Sequence, residues 1–131
     1  NYFIDQNSMN HVSMLGFGNQ SELPHIYQNT DIFVLPSSNE PWGLIVNEVM
    51  ASGMPVVVAS EVGCALDLVK HGLNGFQFKV NNIDDLTNCL AKIINDIELM
   101  ESMGKESKKI ISEWSFEQCR IGINRALQII K

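Results

Sequence analysis

Two short runs, Asp31-Ile32-Phe33-Val34-Leu35 and Val56-Val57-Val58-Ala59, constrain this chain more than any other feature in it. Their apolar residues are continuous rather than alternating, so each reads as a strand buried on both faces, as in a parallel sheet. Between them, Leu44, Ile45, Val46, Val49, Met50 and Ala51 recur at helical spacing from Gly43 to Ser52. Gly53 then supplies a left-handed stop and Pro55 blocks continuation. Strand, helix, strand is the building unit of an α/β fold.

The flanks extend that pattern. Val12 to Phe17 reads as an additional strand running into a glycine loop, and Ser21 with Glu22-Leu23-Pro24 as a helix start lasting to about Asn29. Gly63 opens a short helix through Leu66, Leu68 and Val69, and Gly72 ends it. Phe76-Gln77-Phe78-Lys79-Val80 alternates, as a strand near an edge does. Asn82 caps a helix bearing Ile83, Leu86, Leu90, Ile93 and Ile94, and a second amphipathic stretch covers roughly residues 97–112. The last helix starts at Ser115 with Phe116, Cys119, Ile123, Leu127 and Ile130 as its stripe. Four strands alternating with helices predict a Rossmann-like, doubly wound parallel sheet in three α/β/α layers. Residues 1–131 form a single domain on this reading, entered directly on its first strand as a truncated domain would be.

Composition narrows the functions. Of 131 residues, 45% are hydrophobic, too many for a disordered segment, and a chain of this length buries about two-thirds of its unfolded surface in one core. The net charge of −6 disfavours nucleic acid and anionic membranes, which recruit clustered cations. Lys105, Lys108 and Lys109 are too few to hold a membrane surface, so peripheral association is the most that is expected. No apolar run approaches the roughly 18 residues of a membrane span, and Asn1-Tyr2-Phe3-Ile4-Asp5 lacks the basic start of a signal peptide. Cys64, Cys89 and Cys119 are widely spaced and odd in number, which reads as reduced, buried thiols of a cytoplasmic protein. His11, His25 and His71 lack metal-ligand spacing and read as surface residues. The charge is also uneven: residues 1–69 contain no Lys or Arg and seven acids, whereas residues 70–131 carry a net +1.

Ligands of open parallel sheets sit beyond the carboxyl ends of the strands, in the strand-to-helix loops. The loop Pro36 to Gly43 is the informative one. Glu40 stands at its tip and Glu48 in the second turn of the following helix, where side chains lean back toward the N-terminus. Both carboxylates therefore border a helix start that offers the backbone N–H groups of Trp42, Gly43, Leu44 and Ile45. Gly43 lets a ligand approach the backbone. Donors flanked by two carboxylates suit a phosphorylated, polyhydroxylated molecule, with carboxylates accepting from vicinal diols. Trp42 either packs beneath the loop or meets the ligand; the sequence leaves both open.

The run from Glu40-Pro41-Trp42-Gly43-Leu44 through Glu48 to Ala51-Ser52-Gly53-Met54-Pro55-Val56-Val57 resembles the signature of the retaining nucleotide-sugar glycosyltransferases of the group 1 family (family four), which have the GT-B fold. Val12 to Gly16, Glu22-Leu23, Asp31 to Pro36, Val62-Gly63 to Val69, Asn74-Gly75-Phe76 and Trp114-Ser115-Phe116 follow in family order. The resemblance implies the donor-binding lobe of an enzyme of glycan biosynthesis. It casts Glu40 as the catalytic residue beside the transferred sugar and Glu48 as the ligand of the ribose diol. Trp42 to Ile45 would contact the sugar and diphosphate, and Phe17-Gly18 the base. It implies no metal and no cofactor, the nucleotide-diphosphate sugar being a substrate.

In two respects the chain departs from the pattern: Pro41 replaces the commoner Gly, and Cys64 stands where Gly is usual. The Arg/Lys pair that balances the diphosphate in such enzymes is absent, and so is an N-terminal domain for a sugar or lipid-linked acceptor. The chain is thus expected to be a fragment, inactive alone, of a cytoplasmic enzyme, with the inner membrane face as the alternative location for the full-length protein. Competing functions are a GT-B relative such as an epimerase or phosphorylase, and a non-catalytic Rossmann-like binding module. A receiver-type module fits poorly, because Asp31 precedes its strand and the expected Lys is missing. A glycoside hydrolase is rejected because its carboxylates flank the scissile bond, whereas Glu40 and Glu48 share one loop–helix unit.

Overall fold

A computed structural model describes residues 10–129. The order of elements is α1 (Leu23–Gln28), β1 (Phe33–Leu35), α2 (Leu44–Ser52), β2 (Val56–Ala59), α3 (Ala65–Leu68), β3 (Gly75–Phe78), α4 (Ile83–Ile94), α5 (Ile97–Ser112) and α6 (Phe116–Ile129). The three strands form a parallel sheet in the order β1-β2-β3. Phe33 pairs with Val56 and Leu35 with Val58, while Val56 pairs with Gly75 and Ala59 with Phe78.

Central position explains the continuous apolar run of β2. All four of its residues are buried, and consecutive side chains point to opposite faces, so both faces of the sheet are covered. Helices α2 and α4 both pack on this strand. The same core takes in Val46, Val49 and Met50 of α2, Leu68 of α3, Phe76 and Phe78 of β3, and Ile93 of α4. Strand β3 is an edge, as its alternation predicts, with Gln77 only half-buried between Phe76 and Phe78. The α/β fold read from the sequence is the one observed.

Local signals act largely where they were read. Gly53 closes α2 at φ 87°, and the Asn82 side chain caps α4 by accepting from the Asp85 amide at 3.0 Å. Asp96 caps α5 in the same way through the Leu99 amide. Ser115 precedes α6 and accepts from the Gln118 amide at 3.3 Å. Asn74 is fully buried: it accepts from the Lys70 amide and donates to the Leu68 carbonyl, tying the α3–β3 turn together. Helix α5 crosses beside it, with Ser107 donating to the Asn74 carbonyl.

Four expectations are corrected. Val12 to Phe17 is not a strand: among the described residues its backbone pairs with no neighbouring strand, and Met14, Leu15 and Phe17 lie exposed. A hydrophobic run needs a paired edge as well as apolar side chains to become a strand, so the described sheet has three strands rather than four. The α1 cap is Glu22 rather than Ser21; the Glu22 carboxylate accepts from the Asn19 amide at 2.8 Å. Cys64 and Cys89 are buried, but Cys119 is exposed. The apolar stripe of α6 is uncovered, with Phe116, Ile123 and Leu127 all exposed. Ile130 and the first five residues lie outside the described region. Among the described residues, no helix is long and apolar enough to cross a membrane.

Candidate functional site

Beyond the ends of β1 and β2 the chain continues to pair. Glu40 forms a parallel bridge with Val62. The Gly63 amide donates to the Glu40 carbonyl at 2.9 Å, and the Cys64 amide to the Trp42 carbonyl at 3.0 Å. The loop carrying Glu40 is thus zipped, backbone to backbone, against the loop after β2. Only a glycine permits this at position 63, because a Cβ there would collide with the Pro41 carbonyl.

Gly43 is required for a second reason. It starts α2 at φ 91°, a left-handed conformation that costs other residues energy. A Cβ there would also lie 3.1 Å from Val62 and 3.2 Å from Leu35. Gly43 is buried, so the space its missing side chain leaves is filled by the protein's own packing. No side chain caps α2, and its first internal bond runs from the Val46 amide to the Gly43 carbonyl at 2.8 Å. Leu44 and Ile45 precede that bond, both with exposed side chains. Their amides belong to the positive end of the helix, where an anion is favoured.

Trp42 packs, as one of its two readings has it. Its indole N–H donates to the Asn47 side chain at 3.2 Å, and its ring lies 5.7 Å from that of Trp114 in a tilted arrangement. Cys64 closes the underside of the loop. Burial pushes its thiol up to about 11, only partly offset by a backbone hydrogen bond, so it stays protonated and inert near neutrality.

Glu48 has different company from Glu40. It lies exposed on α2 and accepts a hydrogen bond from the Tyr27 hydroxyl at 2.8 Å. Tyr27 belongs to α1, and its half-buried ring packs against the core. Burial first, then the hydrogen bond and negative charge of Glu48, push the Tyr27 hydroxyl up to about 12, which keeps it a donor. Together with Gln20, Leu23, Pro24 and Ser52 the pair lines a cleft of about 210 Å³. Phe17 and Gly18 line another, of about 560 Å³, on the far side of Leu23, and Phe17 is 93% exposed.

The structure therefore brings Glu40, Trp42 and Gly43 together on the zipped loop, while Glu48 faces α1 and Phe17-Gly18 lie beyond it. Sequence reasoning missed Tyr27, whose partner is 21 residues away with no periodicity linking the two. It also missed Gly63 as the residue that lets the two loops meet. Among the described residues, no three His, Cys, Asp or Glu side chains gather as metal ligands would.

Comparison with known proteins extends this geometry. An uncharacterised glycosyltransferase of Methanocaldococcus jannaschii is 29% identical over 126 residues, 96% of this chain and 36% of that protein. The Escherichia coli UDP-Gal:α-D-GlcNAc-diphosphoundecaprenol α-1,3-galactosyltransferase is 32% identical over 111 residues, 85% of this chain and 28% of that protein. Among solved structures, HepE from Anabaena, determined in complex with UDP and glucose, superposes with a TM-score of 0.82 at 28% identity. That match covers 95% of this chain and 34% of HepE. Sucrose-phosphate synthase from Thermosynechococcus elongatus shares the fold, with a TM-score of 0.84 at 22% identity over 98% of this chain and 33% of its own. The fold is that of GT-B glycosyltransferase structures. The chain spans about a third of the length of these relatives. Residues 4–110 match the family model for glycosyl transferases group 1, and the chain belongs to that family.

Proposed function

We propose that this chain carries the donor site of a retaining glycosyltransferase of family four, one that moves a sugar from a nucleotide-diphosphate sugar to a glycan, lipid or small-molecule acceptor. The observation that carries the reading is the uncapped start of α2, with Glu40 on the loop before it and Glu48 in its second turn. Family membership supports it, as does the likeness to HepE, whose solved structure holds UDP and glucose.

In this reading the amides of Leu44 and Ile45 donate to diphosphate or sugar oxygens, and the helix end stabilises their charge. Glu40 is the catalytic carboxylate beside the transferred sugar, orienting its hydroxyls. Glu48 takes the ribose diol, and Phe17-Gly18 meet the base. The binding energy of the nucleotide is used to hold the leaving phosphate where it can help deliver the acceptor, which gives retention. Cations for the diphosphate, and the surface that binds the acceptor, lie outside this chain in the full protein. The site needs no metal, because helix amides and those cations balance the charge. The reaction is cytoplasmic, and a lipid-linked acceptor would bring it to the inner membrane face.

Calorimetry with UDP, GDP and ADP on the full natural gene product, paired with a turnover assay, tests the assignment. Glu48→Ala is expected to weaken nucleotide binding by about 10- to 100-fold, the worth of hydrogen bonds to a charged group. Glu40→Ala is expected to lower turnover by about 100-fold or more while changing nucleotide affinity little. Normal turnover in Glu40→Ala would remove its role. Inversion at the anomeric carbon, read by NMR of the product, would remove the retaining mechanism.

A further inference from the structure

An exposed glutamate on a helix has several rotamers open to it, and a ribose diol that binds it must first select one. Tyr27 already selects one. Its ring has two side-chain torsions and packs against the core, so the hydroxyl that reaches Glu48 Oε2 at 2.8 Å is held on a stiff arm. An ionised carboxylate has about four lone-pair positions, and this contact occupies one of them. The rest are available on the cleft that Tyr27 and Glu48 line together with Gln20 and Ser52.

We propose that Tyr27 is a positioning residue for nucleotide recognition: it anchors one oxygen of Glu48 so that the carboxylate is presented, pre-oriented, to the two hydroxyls of a ribose. The inference rests on the assignment of Glu48 to the ribose. It adds a specificity element, since the Tyr27–Glu48 pair separates ribonucleotides from 2′-deoxyribonucleotides. It also makes α1, which buries no residue of its own, part of the binding apparatus.

Tyr27→Phe keeps the ring and removes the hydroxyl. The experiment measures binding of UDP, GDP and ADP, and of their 2′-deoxy counterparts, to the full natural gene product by calorimetry. For whichever ribonucleotide binds, Tyr27→Phe should weaken affinity about three- to tenfold, and the 2′-deoxy partner should change by less than about twofold. In a Glu48→Gln background the same change should add nothing, since the two residues act as a unit. An equal loss for both sugars would overturn the proposal in favour of mere support for α1. Unchanged or tighter ribonucleotide binding would overturn it too, the latter by making the phenol a competitor of the diol. If Glu48→Gln itself leaves the ribose preference intact, the ribose assignment fails and Tyr27 falls with it. If Glu48→Gln abolishes the preference and Tyr27→Phe leaves it unchanged, Tyr27 alone is wrong.

Discussion

The two walls of the candidate site are held in place by different forces. On one side, the loop from Pro36 to Gly43 is an extension of the sheet: backbone bonds from Gly63 and Cys64 fasten it, and buried Val62 and half-buried Leu35 pack against buried Gly43. On the other, α1 and the segment before it bury no residue, and the Tyr27–Glu48 hydrogen bond links them to α2. Displacing the first wall means breaking the continuation of a β-ladder. Displacing the second costs a polar contact and some half-buried packing of Leu23, Ile26 and Tyr27. A site built this way keeps the start of α2 rigid while its α1 side can adjust. Such weakly buried elements are the ones expected to open at low free energy.

Substitutions should separate the walls by size of effect. The largest belongs to Gly63→Ala, where a methyl group meets the Pro41 backbone; destabilisation of about 3 kcal/mol or more is expected, read as a lower urea midpoint. A midpoint within error of the parent chain would mean that the zipped loop is softer than its hydrogen bonds imply.

The next effect concerns alkaline pH and the softer wall. The Tyr27 hydroxyl is raised in the folded chain from 10.0 to about 12, chiefly by burial and then by Glu48. Between those values the unfolded chain has lost the proton and the folded chain retains it. The contribution of Tyr27 is therefore fully present below pH 10 and fades as pH rises toward 12. Thermal melts across that range should fall less steeply in Tyr27→Phe than in the parent; parallel slopes would show that the contact does not couple to folding.

The smallest effect is expected at Phe17→Ser. With the ring 93% exposed, stability should change by about 0.5 kcal/mol or less, even though base binding in the full protein should weaken. A large loss of stability would place Phe17 in the packing and merge the two walls into one.

Much of this was legible in the residues. The apolar runs at Phe33–Leu35 and Val56–Ala59, the Gly53 stop and the Asn82 cap act within a few residues of themselves, so they survive translation from pattern to structure. The motif around Glu40 and Glu48 pointed to the family that residues 4–110 then matched. The failures share one cause, which is distance. Among the described residues, Val12 to Phe17 has strand-like side chains but its backbone joins no strand of the sheet, and the α6 stripe has helical periodicity but lies exposed.

From residue types and spacing alone follow a parallel α/β sheet, the helix carrying Glu48, and a loop with Glu40 at its tip, because propensity, capping and hydrophobic period are local. Which side chains become neighbours is not. The meeting of Gly63 with Pro41, of Trp42 with Trp114 and of Tyr27 with Glu48 depends on segments about 20 to 70 residues apart being brought together by burial of the core. That packing sets Glu40 on a fixed loop and gives Glu48 a partner on α1.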